Sequence, residues 1–129
     1  MSTIELLEQR LATLESRIHR LESTAAIERL QRIYGYYLDN RMWHEVAQLF
    51  TGDGEVEIGR RGVYRGHEQL RTFFVDVLGA GRSGRARGEL HNHIQIQGVV
   101  TLGPQPDTAF GRFRALAQFA QQLPDGSAG

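Results

Sequence analysis

The stretch Tyr34–Gly59, "YGYYLDNRMWHEVAQLFTGDGEVEIG", changes its hydrophobic pattern twice along its length. Tyr34, Tyr37 and Leu38 fall at helical spacing, Asn40 marks a turn, and Trp43, Val46, Ala47 and Phe50 fall at helical spacing again over a short helix at 41–50. The run "TGDG" at 51–54 supplies the stop, and Val56 and Ile58 then alternate with charged neighbours as they do in a strand. Two helices followed by a strand set the order of the whole chain, and what flanks the stretch extends it.

Towards the N-terminus, Ile27, Leu30, Tyr34, Tyr37 and Leu38 give a helix from Ala25 to about Asp39 one buried side, with Thr24 as its expected cap. Before it, Ile4, Leu7, Leu11, Leu14, Ile18, Leu21 and Ala25 recur at 3-4-3-4 spacing, a coiled-coil stripe over three heptads. An amphipathic helix lying on its own domain has the same pattern. The expectation is therefore an arm at residues 1–24 that associates copies as dimers or trimers, and a domain at 25–129.

Towards the C-terminus, "EVEIGRRGVYRG" (55–66) reads as a hairpin with Gly59 or Gly62 near the bend, and "HEQLRTFFVDVLG" (67–79) as a helix with a glycine stop. The Gly/Arg-rich run at 79–88 lacks the Lys-Ser/Thr ending of a phosphate loop and reads as a flexible connection. A long strand is expected from Glu89 to Leu102, bulged at Gly98, and another from Thr108 to about Gln121 after a turn at 103–107. Helices first and antiparallel strands afterwards define an α+β domain, with helices covering one face of a curved sheet.

Composition excludes several classes. Fifteen Lys+Arg balance 15 Asp+Glu, so no net charge steers the chain towards nucleic acid or an anionic membrane. The absence of cysteine removes disulfides, thiolate nucleophiles and Cys-ligated zinc. No apolar run approaches the roughly 18 residues that span a bilayer, and the acidic, amphipathic N-terminus is unlike a secretory signal. The expectation is a cytoplasmic protein with neither nucleic-acid nor membrane partners.

The spacing Tyr34–Asp39–Trp43, the following "QLFTGDG" and the Tyr64–Phe74 segment "YRGHEQLRTFF" resemble the SnoaL-like branch of the nuclear transport factor 2-like superfamily, over roughly residues 25–120. That branch includes polyketide cyclases, scytalone dehydratase and bile acid 7α-dehydratase. The resemblance implies a cone-shaped, cystatin-like fold. It also implies further C-terminal strands, which are expected to be lacking here. In dehydratase-like members a tyrosine and an aspartate of the early helix meet a histidine of the third strand. On this resemblance Tyr34, Asp39 and His93 form the catalytic set, with His91 the fallback for the histidine. The family shows Asn four residues after that histidine, where this chain has Gln97.

A histidine beside a carboxylate is the minimum needed for acid–base work, because the carboxylate fixes the imidazole tautomer. Such a pair can abstract a proton α to a carbonyl and pass one to a leaving hydroxyl, while Tyr34 polarises the substrate oxygen. The same pair also serves as a structural contact in a domain that keeps its pocket without a reaction. Trp43 is either core or cavity wall. Arg112 and Arg114 share a strand face and form either an outer salt-bridge ladder or a carboxylate anchor. These three residues and His91 are the candidate substrate contacts. His91 and His93, with Asp39 or Glu89, also make a rival metal site, although HxH with no third histidine nearby is a weak signal. Neither a metal nor a cofactor is expected. The expected function is a cofactor-independent dehydratase, isomerase or cyclase acting on a small hydrophobic, oxygenated, cyclic compound. The alternative is a non-catalytic small-molecule-binding or oligomeric assembly domain.

Overall fold

The computed structural model describes residues 1–127 and residue 129. Helix α1 (Thr3–Asp39) is a single run of 37 residues. Ser2 caps it: Ser2 Oγ accepts the Glu5 N–H at 3.1 Å, and the Glu5 carboxylate accepts the Ser2 N–H at 2.8 Å. The break expected at Ser23–Thr24 does not occur. Serine and threonine each cost under about 0.7 kcal/mol in a helix interior relative to alanine, too little to open the ladder without a proline or glycine.

The helix stops where the Asn40 backbone N–H and side-chain amide both donate to the Tyr36 carbonyl, at 3.1 and 2.8 Å. Arg41 then turns the chain with φ +53°. That left-handed region is disfavoured for residues with a Cβ. The second helix, α2 (Trp43–Gln48), begins two residues later than position 41.

Strands β1 (Glu55–Glu57) and β2 (Val63–Arg65) pair antiparallel with Val56 opposite Tyr64, through a 3-10 turn at Gly59–Arg61 and Gly62 at φ +93°. This is the expected hairpin. In place of one α-helix at 67–79, α3 (Gly66–Arg71) runs on as a wider π-helical coil at Thr72–Leu78. The long strands β3 (Leu90–Leu102) and β4 (Ala109–Ala120) pair antiparallel, Leu90 opposite Ala120 and Leu102 opposite Ala109. Their register shifts between Ile96 and Val99, so the bulge falls around Gly98 as expected, with Gln97 at φ +52°.

Val46, Leu70, Phe73 and Phe74 are fully buried and, with Leu38, Trp43 and Ala47, form the core between the end of α1, α2 and the π-helical coil. Val56 and Tyr64 close it from the hairpin. Each such side chain contributes about 1.5–3 kcal/mol by leaving water.

α1 also lies along β3. Gln31 donates from Nε2 to Gln95 Oε1 at 2.8 Å, and a Cβ on Gly35 would stand only 3.0 Å from Gln95 Cγ and the His93 carbonyl. The missing side chain at Gly35 lets helix and strand approach. The result is an α+β fold, helices packed on small antiparallel sheets, consistent with a cone-shaped architecture. Ile4, Leu7, Leu11, Leu14 and Ile18 on the N-terminal stretch of α1 are each more than half exposed. Among the described residues no helix is long and apolar enough to cross a membrane.

Candidate functional site

Gln31, Gly35 and Asp39 follow one another at i, i+4 and i+8, so the helix face that docks on β3 ends at a carboxylate. Asp39 Oδ1 accepts two hydrogen bonds from one residue, the His93 backbone N–H at 2.7 Å and the ring Nδ1–H at 3.0 Å. A carboxylate only accepts, so the ring proton that meets it lies on Nδ1, and in the tautomer this selects Nε2 is the acceptor. The two side chains are 17 % and 19 % exposed.

The His93 ring borders a cleft of about 490 Å³. Leu38, Trp43, Ile58, Val77, Leu78 and Phe119 form its apolar walls. Its polar lining comes from Tyr34, Arg41, Arg61, His91 and His93. Asp39 lines a separate groove on the far side of the helix–strand contact, with Tyr36 and Asn92, and acts on the cleft through His93. Tyr34 and His93 therefore share a cavity, and Asp39 stands behind the histidine.

Burial pushes the Tyr34 phenol above its ordinary value, so it stays a protonated donor at neutral pH. Burial, and then the charge of Arg41, pushes the His91 imidazole below its ordinary value, which leaves the ring neutral there. His91 and His93 are i and i+2 on β3 and face the same way, their ring centroids 6.3 Å apart. Phe119 stands edge-on to both, at 5.2 and 5.1 Å. His91 Nδ1 is buried without a hydrogen-bond partner among the described residues.

Glu89, the other oxygen ligand considered beside the two histidines, is engaged elsewhere. Its carboxylate accepts the Ala86 N–H at 2.8 Å and an Arg82 N–H at 3.2 Å, and these bonds hold it below the usual carboxylate range. Among the described residues no group of three or more His, Asp or Glu side chains converges on a point where a metal ion could bind.

Trp43 is both core and wall, with 5 % exposure and a face on the cleft. Arg112 and Arg114 are not brought to this site. They line a different groove with Gln97, Gly98, Val99 and Phe113. Alternation along β4 points them away from the face that carries Phe119, and Arg114 is about 17 Å from Phe119 along the strand.

Arg41 and Arg61 are cleft residues that sequence reasoning missed, whereas Phe119 lies on the apolar strand face that suited either helix packing or a cavity. Nothing in "DNRMW" marks an arginine for burial. The available signal was its position in the turn between Asp39 and Trp43, two residues already singled out.

The SnoaL-like domain family matches residues 19–128. An NTF2-like protein with a cystatin-like fold from Novosphingobium aromaticivorans superposes with a TM-score of 0.66 at 20 % identity, over 92 % of this chain and 71 % of that one. A structure from Catenulispora acidiphila gives 0.56 at 14 % identity, over 85 % and 87 %. ActVI-ORFA from Streptomyces coelicolor gives 0.50 at 13 % identity, over 81 % and 89 %. At these identities the likeness establishes the fold alone. No curated protein matches the chain in sequence.

Proposed function

Because the chain belongs to the SnoaL-like domain family, we propose that its cleft binds a small, hydrophobic, oxygenated and cyclic molecule. The observation that carries this reading is the cleft itself, about 490 Å³ with six apolar walls and a few polar groups at fixed positions. That is the size and lining of a small-molecule site. Trp43 and Phe119 offer flat surfaces to a ring, and Tyr34 offers a donor to an oxygen.

A second reading, acid–base catalysis at the same place, is favoured by the Asp39–His93 pair. With its proton on Nδ1, His93 would take a proton from the carbon α to a ketone at Nε2, and the C–H electrons would pass to the carbonyl oxygen as an enolate. Tyr34 would donate to that oxygen. Collapse of the enolate would expel a β-hydroxyl, which leaves as water with the proton from Nε2. Dehydration comes first among the reactions this arrangement supports, with isomerisation and cyclisation following from the same enolate. The N-terminal stripe of α1, in this proposal, associates copies of the chain as dimers or trimers.

One experiment addresses both readings. 3-Hydroxy-1-tetralone is titrated into the protein while Trp43, the sole tryptophan, reports binding by fluorescence. Release of 1-naphthol, the dehydration product, is followed in parallel. Saturable binding supports the cleft reading. Turnover that falls by about 10²–10⁴-fold in His93→Gln, and also falls in Asp39→Asn, adds the catalytic one. Binding without turnover leaves the binding domain alone, and no binding of this probe or of related bicyclic ketones sinks both.

A further inference from the structure

Arginine is almost never buried without partners, because its five N–H donors lose their water. Arg41 is 7 % exposed, yet its guanidinium donates no hydrogen bond among the described residues. Nε is buried and unpartnered, and the nearest anion, Glu89 Oε1, is 3.6 Å from Nη1, too long for a hydrogen bond. That oxygen already accepts from Arg82, and the other accepts from Ala86.

Arg41 is nevertheless held firmly. It occupies a left-handed backbone position, a conformation that costs about 1–3 kcal/mol and persists only where the surroundings over-determine it. Its carbonyl accepts the Gly84 N–H at 3.2 Å, and its guanidinium carbon lies 5.7 Å from the Trp43 ring centroid. Glu89 compensates part of its charge as an ion pair at 3.6 Å, without reaching hydrogen-bond distance. Two arginines, Arg41 and Arg61, line the cleft, and among the described residues no carboxylate does. Asp39 stands behind His93, and Glu89, which pairs with Arg41 from outside the cleft, spends its hydrogen bonds on Arg82 and Ala86.

We propose that Arg41 is the anchor for an anionic ligand group, so that the cleft takes cyclic carboxylic acids, with Arg41 gripping the carboxylate and the ring lying against Trp43 and Phe119. The inference rests on the cleft reading above and adds the ligand's charge. A guanidinium fork matches a carboxylate with two parallel N–H···O bonds, and within a half-closed cleft such a pair is stronger than it would be in water.

The test compares 2-naphthoate with its neutral analogue 2-naphthamide by calorimetry on the full chain. The parent protein should prefer the acid at least tenfold, and Arg41→Gln should abolish that preference, so that acid and amide bind the variant with equal affinity. Addition of 2-naphthoate, and not of 2-naphthamide, should also shift the Arg41 Nε–H resonance in the unmodified protein, a reading that stands even if the variant fails to fold. Equal affinities in the parent, with the amide still bound, overturn the anchor and leave the cleft reading intact. A preference that survives Arg41→Gln but disappears in Arg61→Gln overturns it in favour of Arg61. Failure of both compounds to bind overturns the anchor together with the cleft.

Discussion

His91 lines the cleft with its Nδ1 buried and, among the described residues, unpartnered, and its lowered pKa couples stability to pH. Its native value lies below the ordinary 6.5, so the unfolded chain binds a proton more readily than the native one between those two values. Stability from His91 is full above about pH 6.5 and is lost as pH falls through the lowered native value. His91→Gln should flatten this part of the profile, and urea midpoints at a series of pH values from 5 to 7.5 measure it. Parallel profiles in parent and variant would remove His91 as the cause. At this scale the family resemblance, and not composition, led to Tyr34, Asp39 and His93, and the structure brings His93 against Asp39 and into one cleft with Tyr34. Arg41 was not legible, since its burial comes from a turn geometry that residue type does not encode. Gln97 illustrates the same gap, because the place where the family has Asn turned out to be a left-handed position in a bulge, a conformation asparagine tolerates better than glutamine.

Among the elements, the contact of α1 with β3 positions the site, and Gly35 is a point of close approach within it. Valine there would push its methyl groups against the His93 carbonyl, a backbone atom that cannot rotate aside. Gly35→Val should destabilise the fold by about 1–3 kcal/mol, despite valine being the better helix former, and should separate Asp39 from His93. Thermal and urea unfolding give the first effect. Loss of the coupling between the His93 backbone amide and Asp39, read as a change in that amide's exchange rate, gives the second. An unchanged stability would mean that the helix can shift along the strand at little cost. The order of elements, the hairpin bend and the bulge in β3 were readable from period and turn residues. The unbroken α1 and the π-helical coil at Thr72–Leu78 were not. Helix-to-helix junctions without proline or glycine leave only weak propensity differences in the sequence, and ring packing between Phe73, Phe74 and Tyr64 accompanies the wider coil.

For the molecule as a whole, the exposed leucines of α1 are where self-association is tested. Leu11→Asp combined with Leu14→Asp removes two consecutive members of the stripe, each about 1.5–3 kcal/mol if buried between copies. Light scattering should then report the monomer mass for the variant and a multiple of it for the parent. A monomeric parent would show that the stripe serves another purpose. The cleft should be unaffected, because its lining begins at Tyr34.

Since α1 is one continuous rod, it also acts as a ruler. Its 37 residues measure about 55 Å, with the apolar stripe at one end and Asp39 at the other. Copies joined side by side in the same direction would open their clefts at a common pole, close enough to share a ligand supply or a single large surface. Joined side by side in opposite directions through the stripe, they would open at opposite poles about 75 Å apart and work as strangers. The direction of one helix pairing would thus decide whether two sites are neighbours.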